Sequence, residues 1–334
     1  MTKPRVYVTR RVPEAALDIL RTACEVHTWD HEEEPVPQDE LVRALQESDG
    51  ALVVGPLRID GPLMDAAPRC RVYANMAVGY DNIDVAAATA RGVLITNTPG
   101  VLTETTADLA FGLMLAAARR LYEGQRTIAE GRWKGWSPMF MTGQDVYGAT
   151  LGIVGAGRIG QAVARRARGF DMRILYHNRR PNPAFEAEVG ASYRMLDDLL
   201  RESDFVVVLV PLTPETRGLI GARELALMKP TAILVNAARG PVVDERALYE
   251  ALRDRRIWAA GLDVFDREPI PPDHPLLSLP NVTAVPHIGS ATVRTRTRMA
   301  TLAAENLVAA LTGQQPPTPV NPEVLGPSWR ERLP

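Results

Sequence analysis

Short apolar runs punctuate the first hundred residues at Arg5 to Val8, Cys24 to Trp29, Ala51 to Val54, Arg71 to Ala74 and Leu94 to Thr96. Segments of helical spacing, Glu14 to Ala23 and Asp39 to Gln46, and shorter turn-like stretches stand between them. The same rhythm returns at Leu151 to Val154, Arg173 to His177, Phe205 to Val210, Ile233 to Asn236, Ala259 to Val264 and Val282 to Val285. Such alternation predicts parallel strands joined by right-handed crossovers, and hence an α/β protein.

Between the two series, Thr103 is an N-cap candidate for a long helix running to about Glu130, apolar early and charged later, which suits an interdomain strut. Its most apolar stretch, Ala107 to Ala118, is too short to span a bilayer and has Asp108 at its start, so it reads as a buried helix. The loop Gly131 to Gly143 carries Trp133, Trp136 and Phe140, aromatics that suit a dimer contact or the rim of a pocket. The last helix, about Thr292 to Leu311, is amphipathic and needs a surface to pack on. If the chain crosses back at Pro286, that surface is the first domain. The expected division is a smaller, flavodoxin-like substrate-binding domain of residues 1–99 and 288–334, and a doubly wound dinucleotide-binding domain of residues 100–287. Ligands of such sheets bind beyond the carboxyl ends of the strands, which makes the cleft between domains the expected site.

The stretch from Thr150 to Arg180 names the ligand. An apolar strand runs into Gly155-Ala156-Gly157-Arg158-Ile159-Gly160, then a helix, then a second strand. Gly155 permits a tight turn, Gly157 lets the backbone approach a pyrophosphate, and Gly160 lets the helix pack closely on the strand. The phosphates would meet free N–H groups at the helix N-terminus. An NAD site usually carries an acidic residue after the second strand, where it binds the ribose hydroxyls. This chain has Asn178-Arg179-Arg180 there. A carboxylate repels a 2′-phosphate and guanidinium groups pair with it, so NADP(H) is the preferred cofactor. NAD(H) stays possible, with the two arginines as a solvated pair.

Composition narrows the partners. With 334 residues, 46% of them hydrophobic, the chain is long enough for two cores. A formal net charge of −2 offers no bulk attraction to nucleic acid or anionic membrane, and small-molecule chemistry fits better. Cys24 and Cys70 make neither a disulfide framework nor a metal-ligand spacing, so no metal is expected and a reducing, cytoplasmic setting is. The N-terminus enters a strand-like run without a signal-peptide apolar region.

Arg239, Glu268 and His287 each follow a strand of the second series. An arginine fork suits a carboxylate beside a carbonyl and polarises the carbonyl oxygen. A histidine can pass a proton to that oxygen as hydride arrives, and a glutamate beside it favours the charged imidazole. Together they read as a 2-oxoacid reductase. Taken singly, a strand-end histidine is more often structural, and His27, His31, His177 and His274 are read that way.

The runs VGYDNIDVAAATARGVLITNTPGVLTETTADLA, LGIVGAGRIGQA, NAARGPVVDERAL, AAGLDVFDREP and PHIGSATVRTR resemble the D-isomer-specific 2-hydroxyacid dehydrogenase family, and within it the glyoxylate/hydroxypyruvate reductases. The match covers nearly the whole chain. The resemblance implies two Rossmann-like domains, the smaller built from both termini, and a homodimer. It places the substrate arginine at Arg239, the catalytic glutamate at Glu268 and the acid–base histidine at His287. The backbone amides that hold the substrate carboxylate fall on Val78 and Gly79, where two consecutive N–H groups at a glycine turn form an anion nest. Asp263 matches a residue near the nicotinamide amide. Pro211, Ala237, the adjoining Ala238 and Gly289 match cofactor-lining positions, and Trp136 resembles a tryptophan lent to the partner's active site. Leu57 is offered as an apolar wall of the substrate pocket.

Two relatives resemble the chain less. Phosphite dehydrogenase is similar around GWSPMF but has a lysine where Val78 stands. Phosphoglycerate dehydrogenase usually has an acidic residue where Asn178 stands and often a further regulatory domain. The expected activity is NADPH-dependent reduction of glyoxylate to glycolate and of hydroxypyruvate to D-glycerate. The competing readings are another D-2-hydroxyacid dehydrogenase, such as phosphoglycerate dehydrogenase, and a dinucleotide-sensing protein similar to the corepressors that resemble this family.

Overall fold

The computed structural model describes residues 3–55, 57–326 and 329. The chain divides into two compact units, one formed by residues up to Leu102 together with those from Ala291 onward, the other by Thr103–Ser290. Among the described residues no helix is long and apolar enough to cross a membrane.

The first unit opens β1 (Arg5–Val8), α1 (Glu14–Ala23), β2 (Glu25–Thr28), α2 (Gln38–Gln46), β3 (Gly50–Val53), α3 (Gly61–Ala66), β4 (Val72–Asn75), α4 (Val85–Ala90) and β5 (Leu94–Thr96). Its strands form a parallel sheet in the order β2-β1-β3-β4-β5. The strands β3, β4 and β5 are buried along their whole length, which is why their sequences are continuous apolar runs rather than alternating ones.

In the second unit come α5 (Thr103–Ala118), α6 (Leu121–Ala129), β6 (Thr150–Val154), α7 (Arg158–Arg168), β7 (Arg173–His177), α8 (Pro183–Val189), β8 (Ser192–Tyr193), α9 (Leu196–Glu202) and β9 (Phe205–Val208). Next are α10 (Ala222–Leu227), β10 (Ile233–Asn236), α11 (Glu245–Arg253), β11 (Ala259–Leu262), α12 (Pro275–Ser278) and β12 (Val282–Ala284). All seven strands are parallel, in the order β12-β11-β10-β9-β6-β7-β8. The strand order reverses between β6 and β9, so the crevice for a ligand opens beyond Val154, where the glycine turn begins. One face carries Met114, Val163 and Phe185 from α5, α7 and α8. The other carries Leu199, Leu225, Leu248 and Leu276 from α9 to α12.

The closing helix α13 (Val293–Leu311) returns to the first unit, where Leu307 and Leu311 pack with Ala16 and Leu20 of α1 on one face of the sheet. Leu41, Leu45, Leu63 and Met64 cover the other face. Thr292 caps α13 by accepting the Thr295 amide hydrogen at 3.2 Å.

The long helix expected from Thr103 to about Glu130 is two helices, and Thr103 is the first helical residue rather than the cap. The break is built by later chain. The Gln144 amide takes the Ala118 carbonyl at 3.0 Å, the acceptor that a continuing helix would use. Gly143 comes so close that an added Cβ would lie 2.1 Å from that oxygen. Arg120 then takes a left-handed backbone, φ 53°, and its guanidinium is held by Glu123 at 2.7 Å. Nothing within residues 103–130 signals a contact made by residues 143 and 144.

Candidate active site

The strands β10, β11 and β12 are neighbours, and the loops beyond their carboxyl ends carry Arg239, Glu268 and His287. Buried Asn236 closes the turn after β10: its Oδ1 accepts from the Ala238 amide at 3.1 Å and its Nδ2 donates to the Arg239 carbonyl at 2.9 Å. The Arg239 guanidinium donates to the Ala238 carbonyl at 2.8 Å. Only glycine fits next, because a Cβ on Gly240 would stand 1.9 Å from the Phe265 carbonyl carbon. The turn that bears Arg239 is thereby stacked on the backbone leading to Glu268.

Glu268 Oε1 accepts the Phe265 amide hydrogen at 3.0 Å, and Oε2 lies 2.7 Å from His287 Nδ1. With Nδ1 turned to the carboxylate, Nε2 is the ring nitrogen left for a substrate, and the imidazole is half exposed. Burial pushes the Glu268 carboxyl up. The hydrogen bond and charge of His287, the Phe265 amide and the Arg239 charge outweigh it, and the group lies below its ordinary value.

His287 has φ 52°, a region that a side-chain-bearing residue holds only with support. Buried Asp263 provides it. Its carbonyl accepts the His287 amide at 2.9 Å, and its carboxylate oxygens accept the Ile288 and Gly289 amides at 2.6 and 3.0 Å. A Cβ on Gly289 would press to 2.9 Å from Asp263 Oδ2. Burial raises the Asp263 carboxyl above its ordinary value, against those two amides and the His287 charge. Assigned to the cofactor by resemblance, Asp263 also braces the histidine loop.

At the glycine turn, Gly155 has φ 100° and its Cβ position meets Leu209 and Val210 at 2.8 Å. A Cβ on Gly160 would lie 2.4 Å from the Gly155 carbonyl oxygen. Gly157 differs: its Cβ direction is open, with nothing within 4 Å. Two glycines are required by packing and one leaves the backbone bare in front of α7, which fits a pyrophosphate cradle. Arg158 and Ile159 form the first turn of α7. Asn178 ties the second strand to this turn, its Oδ1 accepting the Ala156 amide at 2.8 Å. Arg179 and Arg180 are exposed, and the Arg179 charge helps hold the Glu215 carboxyl below its ordinary value. Pro211 is exposed, and Ala237 and Ala238 are buried.

Val78 and Gly79 belong to the first unit, in the bend after β4, both half-buried. Neither amide donates to a described residue. Gly79 does not take a positive φ, so the glycine-turn nest expected here is not formed by a left-handed glycine. Leu57 packs against the core on the α2–α3 face of the first sheet. Trp136 is 83% exposed, and Trp133, Met139 and Phe140 of the same loop are exposed too. The remaining histidines have local partners: His27 with Glu25, His31 with Glu34, His177 with the Arg194 carbonyl, and His274 with Glu245 and the Leu276 amide. Asn236 was not a candidate from sequence, although a polar residue closing an otherwise apolar strand is a signal that could have found it.

A model of the family described as D-isomer specific 2-hydroxyacid dehydrogenase, NAD binding domain, matches residues 111–289. A glyoxylate reductase of Korarchaeum cryptofilum is 54% identical over 324 residues, 97% of each chain. The crystal structure of the TT0316 protein from Thermus thermophilus superposes with a TM-score of 0.87 at 48% identity, covering 95% of this chain and 99% of that one. An NADPH-dependent glyoxylate/hydroxypyruvate reductase from Sinorhizobium meliloti, solved with NADP and malonate, gives 0.83 at 38% identity over 96% and 97% of the two chains. With its two Rossmann-like sheets, its glycine turn and its strand-end arginine, glutamate and histidine, the chain belongs to the D-isomer specific 2-hydroxyacid dehydrogenase family.

Proposed function

We propose that this protein reduces glyoxylate to glycolate and hydroxypyruvate to D-glycerate, and prefers NADPH to NADH. The observation that carries the reading is the 2.7 Å contact between His287 Nδ1 and Glu268 Oε2, which supports Nε2 as the proton donor. The names of the relatives, glyoxylate reductases and an NADPH-dependent glyoxylate/hydroxypyruvate reductase, support the substrates and the cofactor.

When bound, the dinucleotide supplies a hydride for the substrate C2. Gly155, Gly157, Arg158, Ile159 and Gly160 would hold its pyrophosphate, and Asn178, Arg179 and Arg180 its ribose 2′-phosphate. Pro211, Ala237, Ala238, Arg239, Asp263, His287 and Gly289 would line the rest of its site. The chain's own part is positioning and proton transfer. Residues of the first unit bind substrate, with the Val78 and Gly79 amides on the carboxylate. Arg239 pairs with the oxoacid and polarises its carbonyl. His287 Nε2 gives a proton to the carbonyl oxygen, and Glu268 holds the imidazole in place through its Nδ1.

The chain acts as a homodimer, with the exposed Trp133-to-Phe140 loop as contact and Trp136 reaching the partner's site. The supports are this aromatic exposure and the family resemblance. Sedimentation velocity of wild type and Trp136→Ala tests it, and a monomeric wild type removes the idea. The buried free thiols of Cys24 and Cys70 suit a cytoplasmic enzyme, which cell fractionation would check. The activity is tested by initial rates with glyoxylate and hydroxypyruvate, each with NADPH and NADH. Negligible turnover in all four would sink the reading, and faster turnover with NADH would sink the cofactor preference alone.

A further inference from the structure

If the Val78 and Gly79 amides take the substrate carboxylate, something must aim them, since Gly79 is not left-handed. Their peptide groups are held from behind. The Ala77 carbonyl accepts from the Thr98 amide at 2.9 Å, and the Val78 carbonyl accepts from Asn97 Nδ2 at 2.8 Å. In a trans peptide the C=O of one residue and the N–H of the next point in opposite directions. Residues 97 and 98 are consecutive, just beyond β5. The N–H groups of Val78 and Gly79 must therefore both face away from that strand end. The next carbonyl, that of Gly79, is taken by Nδ2 of buried Asn75 at 2.9 Å. Two successive amides are thus turned to one side by a neighbouring strand end, with no left-handed residue.

Asn97 is itself clamped. Its amide donates to the Thr318 carbonyl at 3.2 Å, and its carbonyl accepts from Thr318 Oγ1 at 2.5 Å. Thr318 Oγ1 accepts in turn from Asn306 Nδ2 at 2.8 Å, and the Thr318 amide donates to Asn306 Oδ1 at 2.9 Å. Asn306 is fully buried on α13. A continuous set of hydrogen bonds therefore runs from the closing helix to the Val78 carbonyl.

We propose that Asn97, braced by Thr318 and Asn306, is the residue that positions the Val78 and Gly79 amides for the substrate carboxylate, with Asn75 fixing the peptide that follows. The proposal rests on the carboxylate reading given above. Asn97 reaches the substrate only through those amides, so it is a positioning residue. The carboxylate is unchanged by the reaction, so loss of aim weakens ground state and transition state alike and appears in KM rather than kcat.

The test is steady-state kinetics of Asn97→Ala and Thr318→Val with glyoxylate and with its neutral methyl ester, alongside NADPH titrations. For Asn97→Ala the expected result is a rise of about five- to tenfold in KM for glyoxylate, the scale of one hydrogen bond, with kcat within about twofold. Ester kcat/KM and NADPH affinity should hold, and Thr318→Val should move in the same direction by less. Should Asn97→Ala fail to fold, Thr318→Val carries the test. Equal losses with acid and ester overturn the proposal, because a general loosening of the fold would produce them. Gly79→Pro, which removes one of the two amide hydrogens, separates the remaining outcomes. A KM rise there with none in Asn97→Ala overturns the positioning role and leaves the carboxylate reading standing. An unchanged KM in both overturns the carboxylate reading and the proposal with it.

Discussion

His287 Nδ1 and Glu268 Oε2 lie 2.7 Å apart although 19 residues separate them in the chain. One is held by Asp263 in a left-handed backbone, the other by the Phe265 amide in the loop after the neighbouring strand β11. Turning the imidazole over would break its hydrogen bond to that carboxylate, and the reactive nitrogen is thereby chosen.

Removing the proton donor should cost rate and not cofactor affinity. His287→Ala is expected to lower kcat for glyoxylate reduction by roughly 10²- to 10⁴-fold, the usual worth of a positioned acid. NADPH affinity should stay within about twofold, as read by fluorescence titration. Near-wild-type turnover would take His287 out of the reaction.

Glu268 also makes an acid-side prediction. Its folded carboxyl lies below the ordinary value of 4.5 because the His287 interaction and the Phe265 amide outweigh burial. A depressed carboxylate contributes stability that is present above its unfolded value and is lost as pH falls through the folded one. The gap in Tm between wild type and Glu268→Gln should therefore persist down to about pH 4.5 and narrow only below it. A gap that closes at higher pH contradicts the shift.

Two glycines of one turn should behave differently. At Gly160 an added methyl meets the Gly155 carbonyl oxygen at 2.4 Å, so Gly160→Ala should destabilise the fold by about 1–3 kcal/mol. At Gly157 the methyl meets nothing within 4 Å of protein, so Gly157→Ala should unfold like wild type. Its dinucleotide affinity should nevertheless fall about tenfold or more, because the methyl occupies the approach of the pyrophosphate. Denaturant midpoints and cofactor titrations check both, and equal cofactor affinity for wild type and Gly157→Ala would remove the pyrophosphate from that position.

Arg179 and Arg180 are exposed, with the Glu215 carboxylate near enough to feel the Arg179 charge, and exposed guanidinium groups can turn to a phosphate. Arg179→Ala should lower kcat/KM for NADPH by roughly tenfold and change that for NADH by less than about twofold, the scale of a charge-assisted contact. Equal losses with both cofactors would place the arginine elsewhere in function.

Much of this was legible in the chain because it is local. Continuous apolar runs with helical segments between them gave parallel strands, since a strand covered on both faces has no polar side to show. The glycine turn and the strand-end positions of Arg239, Glu268 and His287 follow from spacing within single loops. What the tertiary structure alone decided are contacts whose two halves lie far apart. The helix after Thr103 stops at Ala118 because residues 143 and 144 come back to it. Asp263 supports the histidine loop 25 residues on, Asn178 reaches 22 residues back to Ala156, and Thr318 holds Asn97 across 221 residues. A side chain that ends on a distant backbone amide or carbonyl leaves no periodicity in the sequence, because its spacing is set by how the strands are ordered and not by the turn of a helix or the pleat of a strand.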